Sequence, residues 1–222
     1  MEANSIGGKE PVKHALTGSL IKERLNNDLF IRPLLDEERQ INEASMDFRL
    51  GYDFMVNVPG RDAYINASLN NDGLPKQRDI KRFFQETRRQ LGETFVLHPH
   101  QTVLATSIEY IKLPEDLFVM LFMRSSYSRL GLSLSTILQP GYCGCISLEL
   151  TNSSFTPINL TVGARLFQGI FMPTSSPTFY FARARKYMCQ VRPEASAAIQ
   201  DQDLEVLNRL WQNENHRNQS LI

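Results

Sequence analysis

The sequence predicts a mainly β protein with a short helix near its start and another near its end, and three observations carry that expectation. From Glu93 to Pro173, short runs rich in β-branched, aromatic and other apolar residues follow one another closely. Turn-forming clusters separate these runs, and apolar residues at sustained helical spacing occur only towards the two ends. Closely spaced strands without intervening helices fold as an antiparallel sandwich or barrel rather than as βαβ units.

In chain order, residues 1–15 hold Gly7-Gly8, Pro11 and mixed charges without a period, and read as a loosely held leader. From Thr17, the residues Leu20, Ile21, Leu25 and Leu29 recur at helical spacing, with Thr17 or Ser19 as N-cap. Ile31-Arg32-Pro33-Leu34 reads as extended, because a proline pushes its predecessor out of the helical region. Residues 45–51 read as a strand closed by a glycine turn at Gly51, and 52–75 alternate apolar and polar positions as a hairpin insertion would. Residues 76–92 place Lys76, Arg78, Lys81, Arg82, Arg88 and Arg89 around Ile80, Phe83 and Phe84, the pattern of a solvated helix face laid over a sheet.

Strands are then expected at 94–97, 102–106, 118–123, 145–150, 158–160 and 165–172. The turns between them are marked by His98-Pro99, Pro114-Glu115-Asp116, Gln139-Pro140-Gly141, Asn152-Ser153-Ser154 and Val162-Gly163. Leu204, Leu207 and Leu210-Trp211 give a terminal helix over 201–213. No repeat and no linker-like stretch divides the chain, so residues 16–195 are expected to form one domain and 196–222 a helical extension.

Composition narrows the partners. The chain has 222 residues, with 24 Lys and Arg against 24 Asp and Glu, a formal charge of zero. That balance excludes a broad electrostatic grip on nucleic acid or an anionic membrane, so any phosphate recognition must be local. Apolar stretches such as 117–123 fall far short of the roughly 20 residues that span a bilayer, and a soluble protein is expected. Cys143, Cys145 and Cys189 are few and odd in number, and no signal-peptide pattern follows Met1. A reduced cytoplasmic setting without disulfides is the expectation.

Motifs narrow the chemistry further. Zinc-dependent base deamination needs a His or Cys ligand near a Glu and then a Pro-Cys-x-x-Cys pair. Cys143 and Cys145 are two apart on an expected strand and far in sequence from His14, His98, His100 and His216, so no zinc site is read here. Phosphate-binding Gly-x-x-x-x-Gly-Lys, dinucleotide-binding Gly-x-Gly-x-x-Gly and the Gly-x-Ser-x-Gly elbow are all missing. What remains is Arg124-Ser125-Ser126-Tyr127-Ser128-Arg129 directly after an apolar strand. Guanidinium forks and short hydroxyl donors suit phosphate oxygens, and a polar turn capping a short helix is the plainer reading of the same residues. Further on, strand alternation puts Ile146, Leu148 and Leu150 on one face and Ser147, Glu149 and Thr151 on the other. A mid-strand carboxylate among apolar neighbours is expected to be partly desolvated and able to take and return a proton, with Arg129 as a candidate partner; a structural salt bridge is the alternative.

Ala44-Ser45-Met46-Asp47-Phe48-Arg49-Leu50-Gly51, Leu97-His98-Pro99, Glu109-Tyr110-Ile111-Lys112-Leu113-Pro114-Glu115-Asp116-Leu117, Arg124-Ser125-Ser126 to Leu132, and Pro140-Gly141-Tyr142 to Leu150 follow one another along the chain. In that order they resemble the dCTP deaminase family. Residues 16–29 are similar to that family's opening helix, and Lys186-Tyr187 with Gln190 to its C-terminal phosphate-closing segment. The resemblance implies a dUTPase-like distorted β-barrel or jelly roll, a homotrimer with a site at each interface, and hydrolysis of dCTP to dUTP and ammonia. It implies no catalytic metal, with Mg²⁺ carried only on the substrate triphosphate. The counterpart of Glu149 activates the attacking water, while those of Arg124, Ser125, Ser126 and Arg129 hold phosphates and order that water. Gln139, Tyr142, Ser147, Leu148, Tyr180, Lys186 and Gln190 complete the implied substrate-binding set, with Phe179 or Tyr180 stacked near the nucleoside.

Two segments depart from the family pattern. Gln139 stands where the family has the Asp that binds the sugar 3′-hydroxyl, and 133–138, read as a loop, is shorter than the family's and lacks the His-x-Thr-Ala run that contacts the base. Three functions therefore stay open on the sequence: a dCTP deaminase, a non-catalytic deoxynucleotide-binding or regulatory protein on the same fold, and a dUTP diphosphatase. Gln139 counts against the last, whose chemistry needs a carboxylate to activate water.

Overall fold

The computed structural model describes residues 14–58, 65, 67, 80–182 and 185–219. Among these, the strands are β1 (Phe30–Arg32), β2 (Met46–Asn57), β3 (Phe84–Arg88), β4 (Thr94–Leu97), β5 (Thr102–Lys112) and β6 (Leu117–Met123). They continue with β7 (Leu132–Ser133), β8 (Ser135–Leu138), β9 (Cys143–Asn152), β10 (Ile158–Thr161) and β11 (Arg165–Pro173). The helices are α1 (Gly18–Asn27), α2 (Glu37–Gln40), α3 (Ser125–Ser128) and α4 (Gln202–Gln219). One antiparallel sheet runs in the order β7-β9-β5-β2-β11-β6-β8, with β1 also on β5 and β3 also on β2, while β4 and β10 form a separate ribbon.

The mainly β expectation holds because period-two alternation is carried through to burial. Along β6, Leu117, Val119, Leu121 and Met123 are buried and the residues between them are half-buried. Phe48, Phe54, Phe167 and Phe171 are among the largest fully buried side chains. Phe48 stacks on Phe167 with centroids 5.6 Å apart, joining β2 to β11. Phe54 stacks on Phe95 at 4.3 Å and so clamps the two-stranded ribbon against the main sheet. Burying one such side chain stabilises the fold by about 1.5–3 kcal/mol. At the start, α1 buries Ile21 and ties itself to the β5–β6 turn through Arg24, whose Nη2 is 2.6 Å from Asp116 Oδ1.

Several expectations are corrected. Gly51 closes no turn: β2 runs straight through it, and a Cβ there would stand 2.5 Å from Thr106 O, so the glycine serves the close approach of β5. The stretch expected as a solvated helix face contains β3, an edge strand registered on β2 from Asp53↔Arg88 to Asn57↔Phe84. Backbone partners offered by β2 outweigh the helical spacing, and the charges sit on the rim of the edge strand, with Arg88 Nη1 2.9 Å from Asp53 Oδ1. The 133–138 stretch is β7 and β8, paired with β9 and β6, rather than a free loop. Most of the expected leader (1–13), most of the hairpin insertion (59–64, 66 and 68–75) and 76–79 lie outside the described residues. The terminal helix forms as expected, with Val206, Leu207, Leu210 and Trp211 exposed.

Candidate functional site

The outward face of β9 is the floor of the candidate site. Ile146, Leu148 and Leu150 point into the core, while Ser147 and Thr151 are half-buried and Glu149 is exposed on the opposite face, as the alternation requires. Thr151 shares a 2.8 Å hydrogen bond with Thr102 across the β5–β9 pair. Glu149 makes no hydrogen bond or ion pair with the described residues, and this chain by itself does not supply the partial desolvation expected of it.

A C-terminal arm lies alongside this strand. Cys145 N donates to Gln190 O at 2.7 Å, and Ser147 Oγ donates to Gln190 Oε1 at 3.2 Å. Gly144 makes the approach possible: its φ is +141°, and a Cβ there would meet Gln190 O at 2.8 Å. Gln190 is buried, and its Nε2 has no hydrogen-bond partner among the described residues. Next to it, Cys189 is joined to Cys143 as a disulfide with a Cα–Cα distance of 5.0 Å, correcting the expectation of free thiols. Cysteine count and spacing say nothing about which thiols a docked arm brings together. The remaining thiol, Cys145, is pushed up to about 11 by burial, reinforced by Glu109 and Asp53.

The turn before β9 holds the second group. Tyr142 N donates to Gln139 O and Gly141 N to Pro114 O, both at 3.0 Å. Tyr142 donates its hydroxyl to Cys145 O at 2.7 Å, and burial holds that hydroxyl above its usual range. Tyr180 packs edge-on against Tyr142 at 6.1 Å, with the Arg185 guanidinium 5.1 Å from its ring centroid. Gln139, Ile137, Phe179, Tyr180 and Arg185 border a cavity of about 440 Å³. Lys186 lies apart from it, 2.7 Å from Asp201 Oδ2.

The Arg-Ser-Ser segment forms α3, with Ser125, Ser126, Ser128 and Arg129 exposed. Arg124 is different: its Nε lies 3.1 Å from Oδ2 of Asp47, which is only 2% exposed, and its Nη1 donates to Arg165 O at 3.0 Å. Within one chain Arg129 and Glu149 do not meet. Ser153 N bonds Gly131 O, and Ser153 is four residues along from Glu149, roughly 14 Å of extended strand.

A model of the dCTP deaminase-like family matches residues 15–174. This chain belongs to that family. It is 34% identical over 197 residues to "dCTP deaminase, dUMP-forming" of Methanobrevibacter smithii, covering 85% of this chain and 97% of that protein. It is 38% identical over 175 residues to the protein of the same name in Dictyoglomus thermophilum, covering 76% and 86%. The crystal structure of 2′-deoxycytidine 5′-triphosphate deaminase from Agrobacterium tumefaciens matches with a TM-score of 0.55 at 24% identity, over 72% of this chain and 48% of that one. That match shows a shared fold, and the mainly β architecture expected from the sequence is the one this chain adopts.

In this dCTP deaminase-like chain, the residues singled out from sequence fall into separate groups. Ser147, Glu149, Tyr142 and Gln190 gather on or beside β9, and Gln139 joins Tyr180 at the cavity. Arg124, Ser125, Ser126 and Arg129 cluster at α3, Lys186 stands with Asp201, and the Leu148 side chain is in the core, which leaves only its backbone to face a ligand. Sequence reasoning missed two polar groups. One is Asp47 with its guanidinium partners. The other is Glu109, fully buried, whose Oε1 accepts from Gln40 Nε2 at 2.9 Å and Oε2 from Arg49 N at 3.0 Å. Burial pushes the Glu109 carboxyl up to about 7. Both carboxylates lie in runs quoted for the family resemblance, which was the signal available; their partners are distant in sequence.

Proposed function

We propose that the chain deaminates dCTP, with water adding to C4 of the cytosine and ammonia leaving, so that dCTP and water become dUTP and ammonia. The observation that carries this reading is Glu149. It stands mid-strand on the outward face of β9, free of any hydrogen bond or ion pair to the described residues, between Ser147 and Thr151 and beside the docked Gln190 arm. A carboxylate left uncommitted in this way can accept a proton from water and return it to the departing amine. Belonging to the dCTP deaminase-like family supports the same assignment. Arg124, Ser125, Ser126 and Arg129 hold the triphosphate, and Mg²⁺ enters with the substrate on its phosphate oxygens. Gln139, Tyr142 and Tyr180 receive the sugar and base, the backbone at Leu148 lines the floor, and Lys186 and Gln190 close the arm over the phosphates.

The working form on this reading is a homotrimer. The separation of Arg129 from Glu149 along one chain supports a site shared between subunits, and so do Leu130, Val96 and Phe155, which are exposed at 52%, 45% and 89%. Light scattering should give three times the chain mass, and a clean monomer at micromolar concentration would contradict the shared site. A second reading, dUMP and pyrophosphate as further products, is favoured by the dUMP-forming names of several relatives. Gln139, which cannot act as a carboxylate, opposes it. Incubating the purified protein with dCTP and Mg²⁺ tests both. Ammonia with dUTP supports the first, ammonia with pyrophosphate supports the second, and no ammonia removes both.

A further inference from the structure

We infer that Asp47, together with Arg165, is a positioning residue that immobilises the Arg124 guanidinium and leaves its Nη2 corner to the phosphates of the nucleotide. The inference rests on the proposed use of the Arg124–Arg129 turn as the triphosphate site. Three adjacent strands converge to build the clamp: Asp47 near the start of β2, Arg165 at the start of β11, and Arg124 one residue past the end of β6. Asp47 Oδ2 lies 3.1 Å from Arg124 Nε and 3.2 Å from Arg165 Nη1, while Oδ1 accepts from Asn42 Nδ2 at 3.1 Å. Arg165 O then accepts from Arg124 Nη1 at 3.0 Å, and Arg124 N donates to Leu166 O at 3.1 Å. Both the backbone and two corners of the guanidinium are held, and Nη2 makes no hydrogen bond with the described residues.

An arginine on an open surface samples many rotamers, and binding a phosphate must first freeze them. Here that cost is met on folding. The charge balance points the same way, since one buried carboxylate faces Arg124 and Arg165 with Arg49 also near, leaving the cluster net cationic where an anion would arrive. A buried ion pair is in general weak evidence for stability, because desolvation offsets the attraction. A clamp with one unfilled donor corner has a use that stability does not explain.

Calorimetric binding of dCTP and of dCMP, measured in a Glu149→Gln background so that no heat of deamination enters, tests the clamp, because the two ligands differ only in the phosphates it serves. In Asp47→Asn the preference for dCTP over dCMP should fall about tenfold, from the loss of preorganisation alone, with dCMP affinity nearly unchanged. Arg165→Gln, at a partly exposed position, should lower the same ratio and decides the matter if Asp47→Asn does not fold. In an Arg124→Met background, Asp47→Asn should lower the ratio no further. A ratio untouched by Asp47→Asn and Arg165→Gln, or an additive loss in the double variant, overturns the clamp. A wild-type protein that prefers dCTP but releases no ammonia removes the proposed deamination and leaves the clamp standing. One with no preference for dCTP removes the clamp.

Discussion

Glu149 on β9 and Asp47 on β2 are carboxylates separated in the sheet by β5 alone, yet their surroundings are opposite. Glu149 is exposed and makes no hydrogen bond or ion pair with the described residues, whereas Asp47 is 2% exposed and faces two guanidiniums and an amide. Burial raises the Asp47 carboxyl from its ordinary value, against the pull of Arg124 and Arg165. The proposed role of Glu149, proton exchange with substrate, needs a group kept uncommitted at the surface, as it is here. A group that must hold another side chain still has its lone pairs spent and its water removed. On the proposed reading one chemical group, the carboxylate, serves for reaction at Glu149 and for placement at Asp47, and burial decides between them.

The contrast can be broken most severely at Glu149. Glu149→Gln should cut ammonia release from dCTP by about 10²–10⁴-fold, while its unfolding curve should shift by no more than about 0.5 kcal/mol, as for an exposed position without partners. A variant that instead lost stability would mean that Glu149 is a structural residue. On the buried side, Phe48→Ala, next to Asp47 and stacked on Phe167, should cost about 3–5 kcal/mol in denaturant unfolding.

Glu109 sharpens the comparison through pH. Its folded carboxyl is pushed by burial to about 7 from 4.5, so the native state binds a proton more readily than the unfolded chain between those values. Stability should therefore fall as pH rises across that window, by on the order of 3 kcal/mol, and be level above it. Denaturant titrations of Glu109→Gln should lose this slope; a slope that persists would place its origin elsewhere. The smallest effect is expected at the rim, where Arg88→Ala should cost at most about 1 kcal/mol because its ion pair with Asp53 is exposed.

What could be read from sequence was whatever depends on neighbours along the chain. The alternation along β6, β9 and β11, the turn at Gln139-Pro140-Gly141 and the spacing of α1 and α4 each follow from local periodicity or turn chemistry. Elements decided by distant partners were misread. The charged residues of β3 carry an edge strand only because β2 offers its backbone, and Gly51 marks the passage of β5 rather than a turn. The 133–138 stretch is stranded because β6 and β9 flank it. At the candidate site, Glu149 could be placed on the outward face from period two alone. The Asp47 clamp could not, since its Arg124 and Arg165 partners lie more than seventy residues away along the chain. The Cys143–Cys189 pairing depends in the same way on distant contacts, since its two cysteines are 46 residues apart and meet where the arm lies along β9.

In the proposed homotrimer, Glu149 of one subunit works with the Arg124–Arg129 turn of another. Co-expressing two separately inactive variants, Glu149→Gln and Arg129→Ala, and assaying the mixed protein for ammonia release from dCTP tests it directly. Random mixing in a closed ring leaves about a quarter of the shared sites with both native residues, so activity should return to about that fraction of wild type. Mixed protein as inactive as either parent would mean that the two residues serve the same site from a single chain, or that they share no site.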